Sequence, residues 1–164
     1  MSLFYRSVAA SLFQSILWYT NDTAVHLTFD DGPHPSTPRV LEILKSRQLT
    51  ATFFLLGKNV ERYPDLVREI NRQGHSVGNH AMTHTHLLFK PFAWQSRQIE
   101  EANNVIQQTL ARRPALFRPP FGRFDLRTIK AASSHGLRTV MWDVDSKDYT
   151  NAANKAIIDR VCRQ

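Results

Sequence analysis

The sequence predicts an α/β fold built on a parallel sheet, and three observations carry that prediction. Apolar runs of strand length alternate with amphipathic stretches of helical period from residue 25 onward. The run Ala51-Thr52-Phe53-Phe54-Leu55-Leu56 is apolar on both faces, as suits a strand covered by helices on either side. Polar clusters directly follow the strands, at Asp30-Asp31, Asn79-His80, Arg118 and Asp143 to Asp148. That is where a parallel sheet with right-handed crossovers, open or rolled into a barrel, gathers its function.

The elements follow in order. Val25 to Phe29 reads as the first strand, and Pro38 to Lys45 as a helix with proline in its first turn. Ala51 to Leu56 is the second strand. A helix from Pro64 to Arg72 is ended by Gly74, and a short strand from His75 to Val77 leads into Gly78-Asn79-His80. Ala93 to Leu110 is the longest helix, with Ile99, Val105, Ile106 and Leu110 as its apolar positions. A strand at Ala115 to Phe117, a helix at Leu126 to Ser134, a strand at Leu137 to Trp142 and a final helix at Ala152 to Arg163 complete the alternation. Residues 1–20 are expected to pack across the outside or one end of a single domain spanning 21–164. The apolar runs near the start are too short to span a bilayer. Ile16-Leu17-Trp18-Tyr19 is bulky where a signal cleavage site wants small residues.

Composition narrows the class. At 164 residues the chain suits one domain with a real core, and 42% hydrophobic with 21% charged residues is ordinary for a soluble globular protein. The net charge of +7 favours anionic surroundings. Lys and Arg are nevertheless scattered, with Arg112-Arg113 their one adjacent pair, so no nucleic-acid surface is expected. The single cysteine, Cys162, rules out a disulfide within the chain. A monomer is expected.

Candidate chemistry starts at Thr28-Phe29-Asp30-Asp31-Gly32-Pro33. Neighbouring side chains on a regular strand face opposite ways, so two adjacent carboxylates share a site only where the chain turns, which Gly32-Pro33 permits. Held together they repel, and a cation relieves the repulsion. The plainer reading is an acidic loop capping the helix that starts near Thr37. His80 and His84 are four apart, a spacing that converges two imidazoles on one ion if the segment is helical or tightly turned. With one carboxylate from Asp30-Asp31 they make a two-histidine, one-carboxylate set that leaves coordination positions open, the mark of a catalytic metal. His75 and His86 read as structural or incidental.

Four stretches in series resemble the motifs of the polysaccharide deacetylase family, also called carbohydrate esterase family 4 or the NodB homology domain. They are Thr28 to Pro33, Gly78-Asn79-His80-Ala81-Met82-Thr83-His84, Arg118-Pro119-Pro120-Phe121-Gly122 and Asp145-Ser146-Lys147-Asp148-Tyr149. The resemblance implies a distorted (β/α) barrel and metal-dependent removal of N-acetyl groups from N-acetylglucosamine-type residues of a polysaccharide. It implies Asp30 as general base, Asp31, His80 and His84 as metal ligands, and Zn2+ as the usual ion, with Co2+ or another divalent ion as substitutes. It implies that Arg118 pairs with the base and that the Phe121 backbone N–H holds the oxyanion. Pro120 and Tyr149 line the substrate groove, and Asp148 orients a catalytic histidine. Chitin and peptidoglycan both carry the required acetamide. Such polymers lie outside the membrane, which favours an extracytoplasmic site of action, while the lack of a clear signal peptide leaves the cytoplasm open.

The sequence departs from the family at three places. Ala81 stands where Ser or Thr is usual, so a supporting hydrogen bond is expected to be missing. Tyr149 replaces the usual Trp and can still stack on a sugar. The fifth motif, a Leu-x-x-His or Leu-x-His on one more strand, has no counterpart after Arg163. The barrel is therefore expected to be incomplete at its C-terminal end and turnover impaired, since losing a general acid costs about 10²–10⁴ in rate. The competing reading is an inactive carbohydrate- or metal-binding relic of the same fold.

Overall fold

The computed structural model describes residues 16–20, 23–150 and 152–163. Its strands are β1 (Ile16–Leu17), β2 (Thr28–Gly32), β3 (Thr52–Leu55), β4 (Ser76–Asn79), β5 (Leu116–Phe117) and β6 (Arg138–Val140). They form one sheet in the order β1-β6-β5-β4-β3-β2, with every neighbouring pair parallel. The helices are α1 (Thr37–Ser46), α2 (Gly57–Arg62), α3 (Pro64–Arg72), α4 (Phe92–Leu110), α5 (Leu126–Ser134) and α6 (Asn154–Cys162). Among the described residues no helix is long and apolar enough to cross a membrane.

The pleat of β3 divides the interior. Phe53 and Leu55 face a helix-side core with Leu41 and Leu44 of α1, Val60 of α2, Val67 and Ile70 of α3 and Ile106 of α4. Phe54 points to the other face, fully buried, and carries the site above it. Gly78 is its neighbour on β4, and a Cβ there would lie 2.6 Å from the Phe54 ring, so glycine is what admits the phenyl group. A second cluster, around Ile99, Phe117, Ala131, Ala132 and Leu137, seats α4 and α5 on the middle of the sheet.

Helix boundaries follow local chemistry. Proline occupies the first turn of α1 and of α3, where a missing N–H costs nothing. A capping box opens α5: Asp125 accepts from the Arg127 and Thr128 N–H groups, and the Asp125 N–H donates to Thr128 Oγ1.

The structure revises the sequence reading in three places. The first predicted strand is shifted: Val25 is exposed and outside the sheet, and pairing begins at Thr28. Ile16–Leu17, within the segment expected to pack across the outside or one end of the domain, is an edge strand paired with β6, and Ile16 packs beside Ile129 and Met141. Residues 1–15 of that segment lie outside the described residues. Finally, α2 fills a stretch with no periodic signal, because its stability comes from backbone contacts to its neighbours.

Candidate functional site

The site stands at the carboxyl ends of β2, β4 and β5. The turn that lets two adjacent carboxylates converge sits one position earlier than the sequence suggested. The β2–β3 register shifts between Phe29 and Gly32, and Asp31 itself adopts φ 67°. This bulge re-aims one side chain without ending the strand, since Gly32 still pairs with Leu55. Asn59 of α2 donates through Nδ2 to the Asp31 carbonyl at 2.7 Å and fixes that unusual backbone.

His80 and His84 reach the same place from a tight, non-helical turn after β4. Ala81 has φ 67° and is fully buried. Its N–H donates to Asn79 Oδ1 at 2.6 Å, and Asn79 Nδ2 in turn donates to the Ile99 carbonyl and to Asn103 Oδ1. The support expected to be missing at Ala81 thus comes from a buried asparagine pair. Gly57 N–H donates to the Ala81 carbonyl, Lys58 N–H to that of Met82, and Gln98 Oε1 accepts from Thr83. Sequence reasoning missed Asn59 and Gln98, and it placed Asn79 in a polar cluster after a strand without assigning it this supporting role. Their signal was weak, a polar residue on a predicted strand end or buried helix face.

The result is a convergence of acceptors. Asp31 Oδ1 lies 3.3 Å from His80 Nε2 and 3.3 Å from His84 Nε2, and the three candidate ligand atoms lie within 4.8 Å of one another. His80 Nδ1 is 2.6 Å from the Arg118 carbonyl, which can only accept, so the Nδ1 carries the hydrogen and Nε2 keeps its lone pair in the neutral ring. A carboxylate oxygen and an imidazole lone pair at 3.3 Å need a positive charge between them, either a proton or a metal ion. The His80 contact is the main influence holding Asp31 below the usual carboxylate value; partial burial opposes it and the nearby histidine charges reinforce it. Burial pulls His84 down, partly offset by Asp31. A neutral imidazole is the form that ligates, and two imidazoles with one carboxylate fit a divalent ion with open positions.

Asp30 points to a different partner. Its Oδ1 accepts from the Arg118 guanidinium at 2.8 Å. The Arg118 side chain is 3% exposed, yet every edge is used: Nε donates to the Val140 carbonyl, one terminal nitrogen to that of Met141, and the other to Thr28 Oγ1 and Asp30. Its plane lies over Phe54 at 4.2 Å and near Trp142 at 5.3 Å. Burial lowers its proton affinity and Asp30 raises it; a guanidinium stays charged under either influence.

A family model described as polysaccharide deacetylase matches residues 19–140. The chain belongs to the polysaccharide deacetylase family. It is 35% identical over 145 residues to the peptidoglycan-N-acetylmuramic acid deacetylase PdaC of Bacillus subtilis, covering 88% of this chain and 30% of that protein. It is 34% identical to a chitooligosaccharide deacetylase of Rhizobium leguminosarum bv. trifolii, covering 87% of this chain and 66% of the relative. Among solved structures, a family 4 carbohydrate esterase from Streptomyces lividans, in complex with acetate, superposes with TM-score 0.82 at 38% identity, over 85% of this chain and 73% of that one. A family 4 pseudoenzyme from Bacillus anthracis superposes with TM-score 0.85 at 29% identity, over 90% and 54%. The sheet is therefore the parallel core of the deacetylase barrel, and the chain spans about a third to two thirds of the curated relatives compared.

The other expected site residues are placed unevenly around this deacetylase core. Pro120 is buried and Phe121 is exposed at the rim, in a 3-10 turn (Pro120–Gly122) where the Phe121 ring lies 4.1 Å from that of His84. Asp148 and Tyr149 sit in the loop after β6. Asp148 accepts from Ser146 Oγ, and the Tyr149 hydroxyl donates to Asp145. The structure thus joins Asp30, Asp31, His80, His84 and Arg118 in one network and leaves Asp148 and Tyr149 bonded within their own loop.

Proposed function

We propose that this chain carries the site of a zinc-dependent deacetylase acting on N-acetylglucosamine-type residues of a polysaccharide. The observation that carries the reading is the meeting of Asp31, His80 and His84 around one point, with Asp30 beside it on a buried arginine. Asp31, His80 and His84 would hold the ion; zinc suits this donor set, and Co2+ is a competent substitute. A divalent ion bound there supplies Lewis acidity to the acetamide carbonyl and to water.

The remaining work falls to the chain. Asp30, oriented by its hydrogen bond from Arg118, takes the proton of the attacking water on a carboxylate oxygen. The Phe121 N–H donates to the oxyanion that forms on the former carbonyl oxygen as water adds to the carbon. Pro120 and Tyr149 line the groove, the ring of Tyr149 offering a face to a pyranose. Asp148 takes through the family resemblance the task of orienting a histidine that protonates the departing amine. Relatives named for peptidoglycan and for chitooligosaccharides support an N-acetylated glycan as substrate.

The test is zinc titration of the purified chain, followed by acetate release from an acetylated chitooligosaccharide. The expected outcome is stoichiometric binding and release that a chelator abolishes. A chain that binds no zinc overturns the reading. Tight zinc binding without acetate release supports instead the relic, for which the similarity to a pseudoenzyme gives a precedent of fold without turnover.

A further inference from the structure

Phe121 holds a backbone conformation that a bulky residue seldom adopts. It has φ 60° and is followed by Gly122 at φ 62°, so two successive left-handed residues form the turn. Such positions persist only where their surroundings over-determine them. Below the turn, Gly122 rests on Trp142: any Cβ at residue 122 would run into the indole. The half-exposed Phe121 ring lies against two imidazoles, 4.1 Å from His84 and 4.0 Å from His86, the latter stacked at 29°. His84 is committed to the acceptor cluster. His86 is exposed, but the next residue, Leu87, is fully buried among Ile99, Phe117 and Leu137, so the backbone that presents His86 is anchored.

We infer that His86 is a positioning residue, which by stacking on Phe121 locks the left-handed Pro120–Gly122 turn and so places the Phe121 N–H for the oxyanion. The inference rests on the reading of Phe121 given above. It assigns a role to a histidine that is neither ligand nor proton carrier: an aromatic face is what the position requires. The turn is gripped between Trp142 and His86, and the loop after β4 thereby sets the geometry of the loop after β5.

The full chain carrying His86→Ala or His86→Phe tests this, with three readouts. In turnover of an acetylated chitooligosaccharide, His86→Ala is expected to lower kcat about tenfold or more while KM stays within about twofold, a fraction of the loss from deleting an oxyanion donor outright. His86→Phe is expected to restore kcat to within about threefold, and zinc affinity to stay constant in both variants. In the metal-free protein, the Phe121 amide resonance is expected to shift and broaden with His86→Ala and to hold its place with His86→Phe. Unchanged kcat in His86→Ala overturns the inference, and so does failure of His86→Phe to rescue a real loss. If the parent chain releases no acetate, the deacetylase reading falls on its own. The Phe121 resonance still decides the stack: an unmoved amide in His86→Ala sinks it.

Discussion

The ends of β2, β4 and β5 and the loop after β6 bear motifs of the same family, yet they are built in opposite ways. The first region is tied together over long chain separations: Arg118 bonds Thr28, Asp30, Val140 and Met141, Asn59 bonds Asp31, and Asn79 bonds α4. In the second, Asp143 caps Val144, Asp145 caps Lys147, Ser146 bonds Asp148 and Tyr149 bonds Asp145, all within a few residues. Arg160 of α6 reaches Ser146, but α6 itself buries no residue. The difference teaches that the acceptor cluster and the neighbouring Asp30 are preorganised by the fold, whereas the loop proposed as groove wall is held by local turn chemistry. Substitutions in the first region should therefore be felt at a distance, and those in the second only where they are made.

The largest effects belong to the cluster. His80→Ala removes a ligand and the bond to the Arg118 carbonyl together, and is expected to abolish both zinc binding in a calorimetric titration and acetate release. Asp30→Asn should separate the two: zinc affinity is retained, while kcat falls by about 10²–10⁴ with loss of the general base. Equal loss of zinc affinity in Asp30→Asn would merge base and ligand roles and break the division between Asp30 and Asp31. Next comes Gly78→Ala, remote from the ligands by chemistry but not by packing. Its Cβ would meet the Phe54 ring at 2.6 Å and the Leu116 carbonyl at 3.3 Å. Phe54 is fully buried and lies under Arg118, so displacing its ring would disturb the guanidinium. Overpacking of this kind costs about 1–3 kcal/mol, measurable as a lower urea midpoint.

The same contrast explains what the sequence could disclose. Helices α3 and α5 were legible to the residue, because Pro64 and Gly74 bracket the first and Asp125 caps the second. Residue type and spacing singled out His80, His84 and one carboxylate of Asp30-Asp31 as a candidate set, and the family resemblance chose Asp31. The geometry that makes it a set was not legible. Alternation on a regular strand placed the turn at Gly32-Pro33, whereas a register shift and a left-handed Asp31 supply it. Helix α2 left no trace because Val60 and Gly57 are its only buried residues, and what fixes it is backbone donation to Ala81 and Met82. Strand β1 is two residues long and takes its place through pairing with β6 and packing of Ile16 on Ile129 and Met141, partners distant in sequence. Period and propensity report on side chains; these elements are decided by main-chain partners that no local window contains.

Between the two regions lies the capping box of α5. Burial alone would raise the Asp125 carboxyl, but hydrogen bonds from Thr128, Gln95 and the Phe89 N–H outweigh it and leave it below the usual value. A carboxyl depressed on folding stabilises the protein above its unfolded pKa, about 3.9. That contribution is lost as pH falls through the lower folded value. The thermal midpoint of the parent chain is therefore expected to drop more steeply below pH 4 than that of Asp125→Asn. Asn caps a helix about as well and carries no charge to lose. Parallel acid limbs would show that Asp125 acts as a cap without a preference for its ionised form.

The smallest effects should come from the loop after β6, and Tyr149 sharpens the comparison because its two ends can be tested apart. Its ring is 76% exposed and its hydroxyl bonds Asp145 at 3.2 Å. Tyr149→Phe deletes only that surface bond, so stability should change by less than about 0.5 kcal/mol and zinc affinity not at all. The phenyl face is kept, and KM for an acetylated oligosaccharide is expected to hold. Tyr149→Ala removes the face and should raise KM with kcat and zinc affinity unmoved, because the Tyr149 side chain bonds only Asp145 among the described residues. A fall in zinc affinity in Tyr149→Ala would mean that the loop and the cluster are mechanically joined, and the division between a preorganised site and a locally held wall would have to be redrawn.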